Sequence, residues 1–490
     1  MKRVIPRGGG GGKSFRRRGR AGLSPRSRSG RRGGGGGRVR AMQPLKTTRR
    51  RLLRNIIATG TVPLIVPRRV IAQSGQTPPS GKLRTAHIGV AGQGGGNLGS
   101  LKGMPEVQVT ALCDVDSGRL AGAAKQCEGA KTFKDWRRLF DSAKEFDAIV
   151  VSTPDHHHAP IALTGMSLGK HAYVEKPLAH TIQEARLMFE TAAKHKVVTQ
   201  MGNGGHAGDG LRRWKEYYDA GVIGTIKEIH VWSDRPGGWW KTQGKGRPEG
   251  TPPVPAEVDW DLWLGPAPVR PYHPSYHPMQ WRGYWDFGCG ALGDMAVHNA
   301  DPAYYALDLG QPEWVDAQTE GANNETFPTW SIVTWQFPAK GNRPAVQMKW
   351  YDGGKLPQDV PGLEKDRNIG DNGLIFVGDK AGMMGGSHAS PPRVFPNEAH
   401  GKTKYPASTI PRSPGHHKEW VKACLDGKPE DSKSGFWYSA PFTESLLVGL
   451  LAVRFGKKIE WDSAAMKAKN CPEADAIIRK AYREGWKLPV

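Results

Sequence analysis

Short, nearly uninterrupted apolar runs recur along the first half of the chain: TAHIGVAG at residues 85–92, VQVTALCDVD at 107–116, FDAIVVSTP at 146–154, HAYVEKP at 171–177 and VVTQMGN at 197–203. Runs of this length with so few polar positions predict strands covered on both faces. Between them, segments near 134–139, 160–168 and 181–194 predict helices. Strands alternating with helices build a parallel sheet through right-handed crossovers. Residues 84–204 are therefore expected to form an α/β domain, with any ligand beyond the carboxyl ends of its strands.

After Asn203 the alternation stops and the sequence becomes rich in Trp and Pro, so residues 205–490 are expected to form a second domain. Within it, DFGCGALGDMAVHNADPAYYALDLG at 286–310 carries a helix, and the tail segments SPGHHKEWVKACLDG and APFTESLLVGLLAVRFGKKIEWD predict two helices and a strand. The apolar run from Leu446 to Val453 falls well short of the roughly 20 residues that cross a bilayer and predicts a buried helix.

Composition changes this picture at the N-terminus. The 490 residues, 38% of them hydrophobic, allow two or three domains with substantial cores. The formal charge of +24 suggests nucleic acid, but 23 of the 70 basic residues precede Thr85 with no acid among them, leaving a net of about +1 on the remainder. No nucleic-acid partner is expected for that body. Residues 1–41, almost only Gly, Arg and Ser, cannot bury enough apolar surface to fold; they are either an RNA-binding arm or an extension ahead of a true start at Met42.

Residues 42–83 combine a basic stretch, an apolar stretch from Ile56 to Val66 and a polar linker, the pattern of an export signal. Thr48-Arg49-Arg50-Arg51-Leu52-Leu53-Arg54 resembles the bacterial twin-arginine signal, the alternative being a basic amphipathic start. A periplasmic or cell-envelope location follows as the expectation, with no stable membrane anchor unless the signal stays uncleaved. The five cysteines, scattered and without a CxxC pair, imply neither a disulfide framework nor a thiolate metal site.

The candidate chemistry sits at the predicted strand ends. In GQGGGNLG, Gly92 is expected to permit a tight turn and Gly94, with Gly95 in an alternative register, to let backbone N–H groups approach a pyrophosphate. Asp114 ends the second strand about 20 residues later. A carboxylate there accepts both ribose hydroxyls and repels a 2′-phosphate, favouring NAD over NADP. Thr153, Pro154, His158, Glu175 and Lys176 fall at later strand ends and are expected on the cofactor side. His156, His157 and His158 also invite a metal reading, but consecutive loop histidines rarely converge on one ion, so no metal is expected.

Asp294 and His298 stand four apart on a predicted helix, where the carboxylate would orient the imidazole. Oxidising an alcohol requires a base for the hydroxyl proton, and imidazole suits that task near neutral pH. Trp232, Trp239, Trp240, Trp281, Tyr284 and Trp285 serve equally well as a sugar-stacking surface or as buried packing. His206, Arg235, His273, His277, Arg282 and Tyr284 are candidate substrate contacts by position alone.

The glycine turn, Asp114, Glu175-Lys176-Pro177 and Gly293-Asp294-x-x-x-His298, in that order, resemble the glucose–fructose oxidoreductase, inositol dehydrogenase and MocA family over about residues 84–460, with segments similar to an exported bacterial subgroup. The resemblance implies an N-terminal Rossmann domain and an α+β C-terminal domain with an open, mostly antiparallel sheet. It also implies a homodimer or homotetramer and NAD(P)-dependent chemistry on a sugar or polyol hydroxyl. Lys176 would bind and polarise that hydroxyl, His298 would accept its proton and Asp294 would orient the site. Two further functions remain open: a glycoside hydrolase that oxidises a ring carbon transiently on NAD, and a sugar-sensing protein without turnover.

Overall fold

The computed structural model describes residues 81–489, so the leader and export-signal readings lie outside the described residues, save for the last few residues of the linker. Six parallel strands form the first sheet: β1 (Leu83–Ile88), β2 (Val107–Cys113), β3 (Lys131–Phe133), β4 (Ala148–Val151), β5 (His171–Val174) and β6 (Thr199–Met201). Their order, β3-β2-β1-β4-β5-β6, reverses direction at β1 and β4, where such sheets open a crevice for ligands. All four residues of β4 are buried, as expected of a strand with helices on both faces.

The helices begin where the sequence supplies caps. Thr181 accepts from the Glu184 amide while Glu184 returns a bond to the Thr181 amide, a reciprocal box that starts the helix Ile182–His195. The first helix, Gln93–Lys102, takes in Gly94 and Gly95, the glycines expected to let backbone N–H groups approach a pyrophosphate. The short edge strand β3 has no counterpart among the predicted strands; three mostly exposed residues leave no apolar run to read.

The second sheet holds nine strands: β7 (Ile226–Trp232), β8 (Trp314–Glu320), β9 (Trp330–Phe337), β10 (Val346–Tyr351), β11 (Gly373–Gly378), β12 (Gly382–Gly385), β13 (Arg393–Phe395), β14 (Ile459–Asp462) and β15 (Lys467–Ala468). Their order is β13-β12-β11-β7-β10-β9-β8-β14-β15, and every pair is antiparallel except β7 with β10. On β9, buried and half-buried positions alternate along the strand, the signature of one face on the core. The helix Phe436–Phe455 covers that face. It is long and apolar enough to cross a bilayer, yet 78% of its most apolar window is buried inside the protein, where it packs on the helix Ile182–His195 and on β8 and β9.

The two halves interlock. The helix His416–Asp426, distant in sequence from the first sheet, packs Trp420, Val421, Ala423 and Cys424 against Leu83, Val107, Val150 and Tyr173 of that sheet. Near the C-terminus, the Tyr482 hydroxyl donates to Glu184 at 2.6 Å, and Trp486 lies against Trp136 and under the Arg137 guanidinium.

Candidate active site

The crevice begins at the turn after β1. Gly89, with φ +80°, makes the sharp turn, and a Cβ on Gly94 would fall 2.1 Å from the Gly89 carbonyl oxygen. The fingerprint is therefore Gly89-x-Ala91-x-x-Gly94, three residues ahead of the register expected from Gly92 and Gly94. Gly94 serves close packing of helix on strand rather than approach to a phosphate. Gly92 does adopt a positive φ of 55° and a Cβ there would meet nothing, while a Cβ on Gly95 would come 3.4 Å from the Val90 carbonyl. Gly89 was missed because the denser cluster GQGGG draws attention downstream.

Asp114 follows β2 and is held by two amides, Val90 N–H and Asp116 N–H, each at 3.0 Å. Burial raises its pKa, and those two bonds act against the rise. The remaining lone pairs of a carboxylate fixed in this way suit a ribose diol. Thr153 at the end of β4 keeps its Oγ1 buried without a partner among the described residues, a second polar atom waiting for a ligand. Together with the glycine turn, these groups fit a dinucleotide.

Other cofactor-side candidates brace the crevice instead of lining it. The two ring nitrogens of His158 face the Pro177 and Thr153 carbonyls at 2.8 and 2.9 Å, so the imidazole ties two strand-end loops together. Pro154 precedes this brace. Glu175 accepts from Asn97 Nδ2 at 2.9 Å, and Asn97 also reaches Ser152 and His417, so the carboxyl turns toward the first helix. His156 and His157 point at the Trp263 carbonyl of the other lobe, 3.1 and 2.8 Å away. Among the described residues no group of three or more His, Cys, Asp or Glu side chains could hold a metal.

The chemistry converges on the helix Gly290–Asn299, every residue of which is buried. Its start is tied to the first lobe by Asp155, whose Oδ2 accepts from Cys289 N–H at 3.0 Å. A Cβ on Gly293 would fall 2.1 Å from Cβ of Cys289, so glycine there lets the first turn of this helix close, while Cγ of Pro177 in the Glu-Lys-Pro loop stands at ordinary contact distance, 3.7 Å. Lys176 reaches across and donates to Asp294 Oδ1 at 2.7 Å and to the Asp294 carbonyl at 3.3 Å. An ammonium has three N–H bonds, which leaves one for a substrate.

The expected Asp294–His298 contact does not form. The Asp294 carboxylate turns to Lys176, with Arg282 Nε at 3.4 Å and Arg235 Nε at 4.0 Å, while Nδ1 of His298 is buried without a partner among the described residues. Cations attract a carboxylate more strongly than a neutral ring does, and helical spacing reveals nothing of partners from another lobe. Burial works to raise Asp294, but the charges of Lys176 and Arg282 prevail and hold it well below the usual carboxylate range. Burial, followed by the Lys176 charge, keeps His298 neutral well below its ordinary value, a state able to accept a proton.

Of the substrate candidates, Arg235 and Arg282 stand in this cluster, each guanidinium over an indole, Trp239 and Trp281. Trp239 is half exposed, whereas Trp232, Trp240 and Trp281 are buried and Trp285 packs on Phe327. Tyr284 is a correction: its hydroxyl donates to Ser275 and its ring packs with Trp263, Tyr276 and Phe287. His206 forms a buried pair with Asp301 at 3.0 Å, His273 bonds Ser275, and His277 packs edge-on to Trp263. Asp155, passed over among its neighbouring histidines, lies among Arg282, Asp294 and Lys176, and burial raises it to about 7.

Two family models match the chain. Residues 83–203 match the model described as oxidoreductase family, NAD-binding Rossmann fold, and residues 209–346 match its C-terminal alpha/beta domain; together they span more than half of the sequence. A levoglucosan dehydrogenase from Pseudarthrobacter phenanthrenivorans is 27% identical over 38% of this chain and 39% of its own length. Inositol 2-dehydrogenase 2 from Saccharopolyspora erythraea is 33% identical over 30% of this chain and 44% of its own length. The chain thus spans less than half the length of these curated relatives. Among solved structures, the WlbA dehydrogenase from Bordetella pertussis, in complex with NADH and UDP-GlcNAcA, shares the fold with a TM-score of 0.54 at 19% identity, covering 78% of this chain and 99% of that one.

Proposed function

The chain belongs to the Gfo/Idh/MocA oxidoreductase family, and on that premise we propose that it is an NAD-dependent oxidoreductase acting on a sugar or polyol hydroxyl. The observation that carries the reading is the meeting of Lys176 from the dinucleotide lobe with the Asp294 helix of the second lobe, at 2.7 Å. Asp294 holds the Lys176 ammonium in place, and the spare ammonium N–H of Lys176 binds the hydroxyl oxygen and eases loss of the proton. His298, neutral and buried, takes that proton. Gly89, Asp114 and Thr153 would hold NAD, which would supply the hydride acceptor. Arg235 and Arg282 fix Asp294 electrostatically and line the approach from the second lobe.

The signal-like segment before residue 84 supports export by a twin-arginine-type route to the periplasm or cell envelope. Free dinucleotide is scarce there, so the cofactor would be loaded before transport, held tightly and reoxidised by a second carbonyl compound. A homo-oligomer, dimer or tetramer, belongs to the same proposal.

The test is a screen of mono- and disaccharides and polyols against protein purified without added nucleotide, following nicotinamide absorbance. Retained nucleotide that is reduced by a hydroxyl substrate supports the reading. Release of an aglycone with no net NADH would replace it with glycoside cleavage, and sugar binding without either would leave a sensor.

A further inference from the structure

The loop after β12 carries an imidazole that the reaction scheme above does not use. His388 stacks on His298, with ring centroids 4.1 Å apart and planes at 28°. His388 and Ala389 both have left-handed backbones, φ 56° and 57°, a conformation that strains a non-glycine residue and persists only where the surroundings impose it.

The surroundings do impose it. A Cβ on Gly205 would fall 2.6 Å from the His388 carbonyl oxygen, and one on Gly210 would overlap the Ala389 carbonyl, so two glycines of the segment after β6 let this loop seat closely. Trp214 Nε1 donates to the Ser390 carbonyl at 2.9 Å. Asn299, the residue next to His298, accepts from Ser387 Oγ at 2.8 Å and from the His388 amide at 3.4 Å. The ring itself is fixed by Nδ1 on Ser387 Oγ, 2.6 Å away. Strain, tight seats and a tether to the helix of His298 all act to lay one imidazole over the other.

We propose that His388 is a positioning residue for His298: its ring covers one face of the proton acceptor, fixing the plane of that ring and shielding it from water. The proposal rests on His298 being the acceptor. The charged and titratable groups facing His298 are Lys176 from the first lobe, Asp294 on its own helix, His388 from the strained loop and His416 from the helix His416–Asp426. Of these, His388 alone lies at the exposed side, so its removal is what admits solvent.

The experiment compares His388→Ala and His388→Phe with the parent protein, using ring NMR titration of His298, nucleotide affinity and, with an active substrate, the pH profile of kcat. His388→Ala should raise the His298 midpoint by about one pH unit or more, lower kcat at least about tenfold and move the acidic limb of the profile upward with the midpoint. His388→Phe retains a flat ring and should restore both. Nucleotide affinity should be unchanged in each variant, which reports an intact fold. A His298 midpoint indifferent to His388→Ala overturns the proposal, as does a Phe variant no better than Ala. The NMR titration needs no turnover, so an enzyme that oxidises no hydroxyl sinks the functional reading while the stack is still decided.

Discussion

Asp155 shows how much one carboxyl can register of its surroundings. It is buried among Lys176, Arg282 and Asp294, with one hydrogen bond to Cys289 N–H, and burial raises its pKa to about 7. Raised in the fold above its unfolded value near 3.8, it retains a proton that the unfolded chain has already lost. Its contribution to stability is complete below pH 4 and disappears as the pH climbs from 4 to 7, a span worth at most about 4 kcal/mol. Asp155→Asn keeps an acceptor for Cys289 and cannot ionise. Denaturant unfolding at pH 4 and pH 8 should show the wild type losing stability relative to this variant; parallel behaviour at both pH values would mean that Asp155 titrates normally. At this scale the sequence revealed which residue types matter but not their partners. Helical spacing paired Asp294 with His298, whereas the true partner, Lys176, comes from 118 residues earlier. His388 carries no motif, and its position depends on a loop conformation that no local pattern encodes.

The strand–turn–helix unit at residues 83–102 places the dinucleotide end of the site. Its strand was legible from an apolar run and the acid after the next strand, Asp114, from its spacing to the turn, because both are local features of the sequence. The glycine register was not, since six glycines in eleven residues offer several matches and only the backbone distinguishes them. Gly94→Ala places a methyl 2.1 Å from the Gly89 oxygen and must push the helix off β1. Nucleotide titration should show at least about tenfold weaker NAD binding, since displaced helix amides lose their geometry. Gly99→Ala, on the same helix with open space around its Cβ, should leave affinity intact and gain roughly 0.5–1 kcal/mol of stability. Equal effects of the two substitutions would show that helix flexibility, not close approach, is the requirement.

At the scale of the whole molecule, neither lobe closes its own core or its own chemistry. Trp420 and its neighbours complete the first sheet from far along the chain, Asp155 ties into the second lobe, and the Tyr482 hydroxyl binds back to Glu184. An amphipathic segment announces that it will bury a face but not against which sheet, so this interlock could not be read beforehand. Its consequence is that Lys176 and His298, from separate lobes, face one crevice. The direct test is single-turnover reduction of bound NAD by the active sugar or polyol in the wild type, Lys176→Ala and His298→Ala. Both variants should bind NAD as the wild type does and reduce it roughly 100-fold or more slowly; wild-type rates in either would contradict the account.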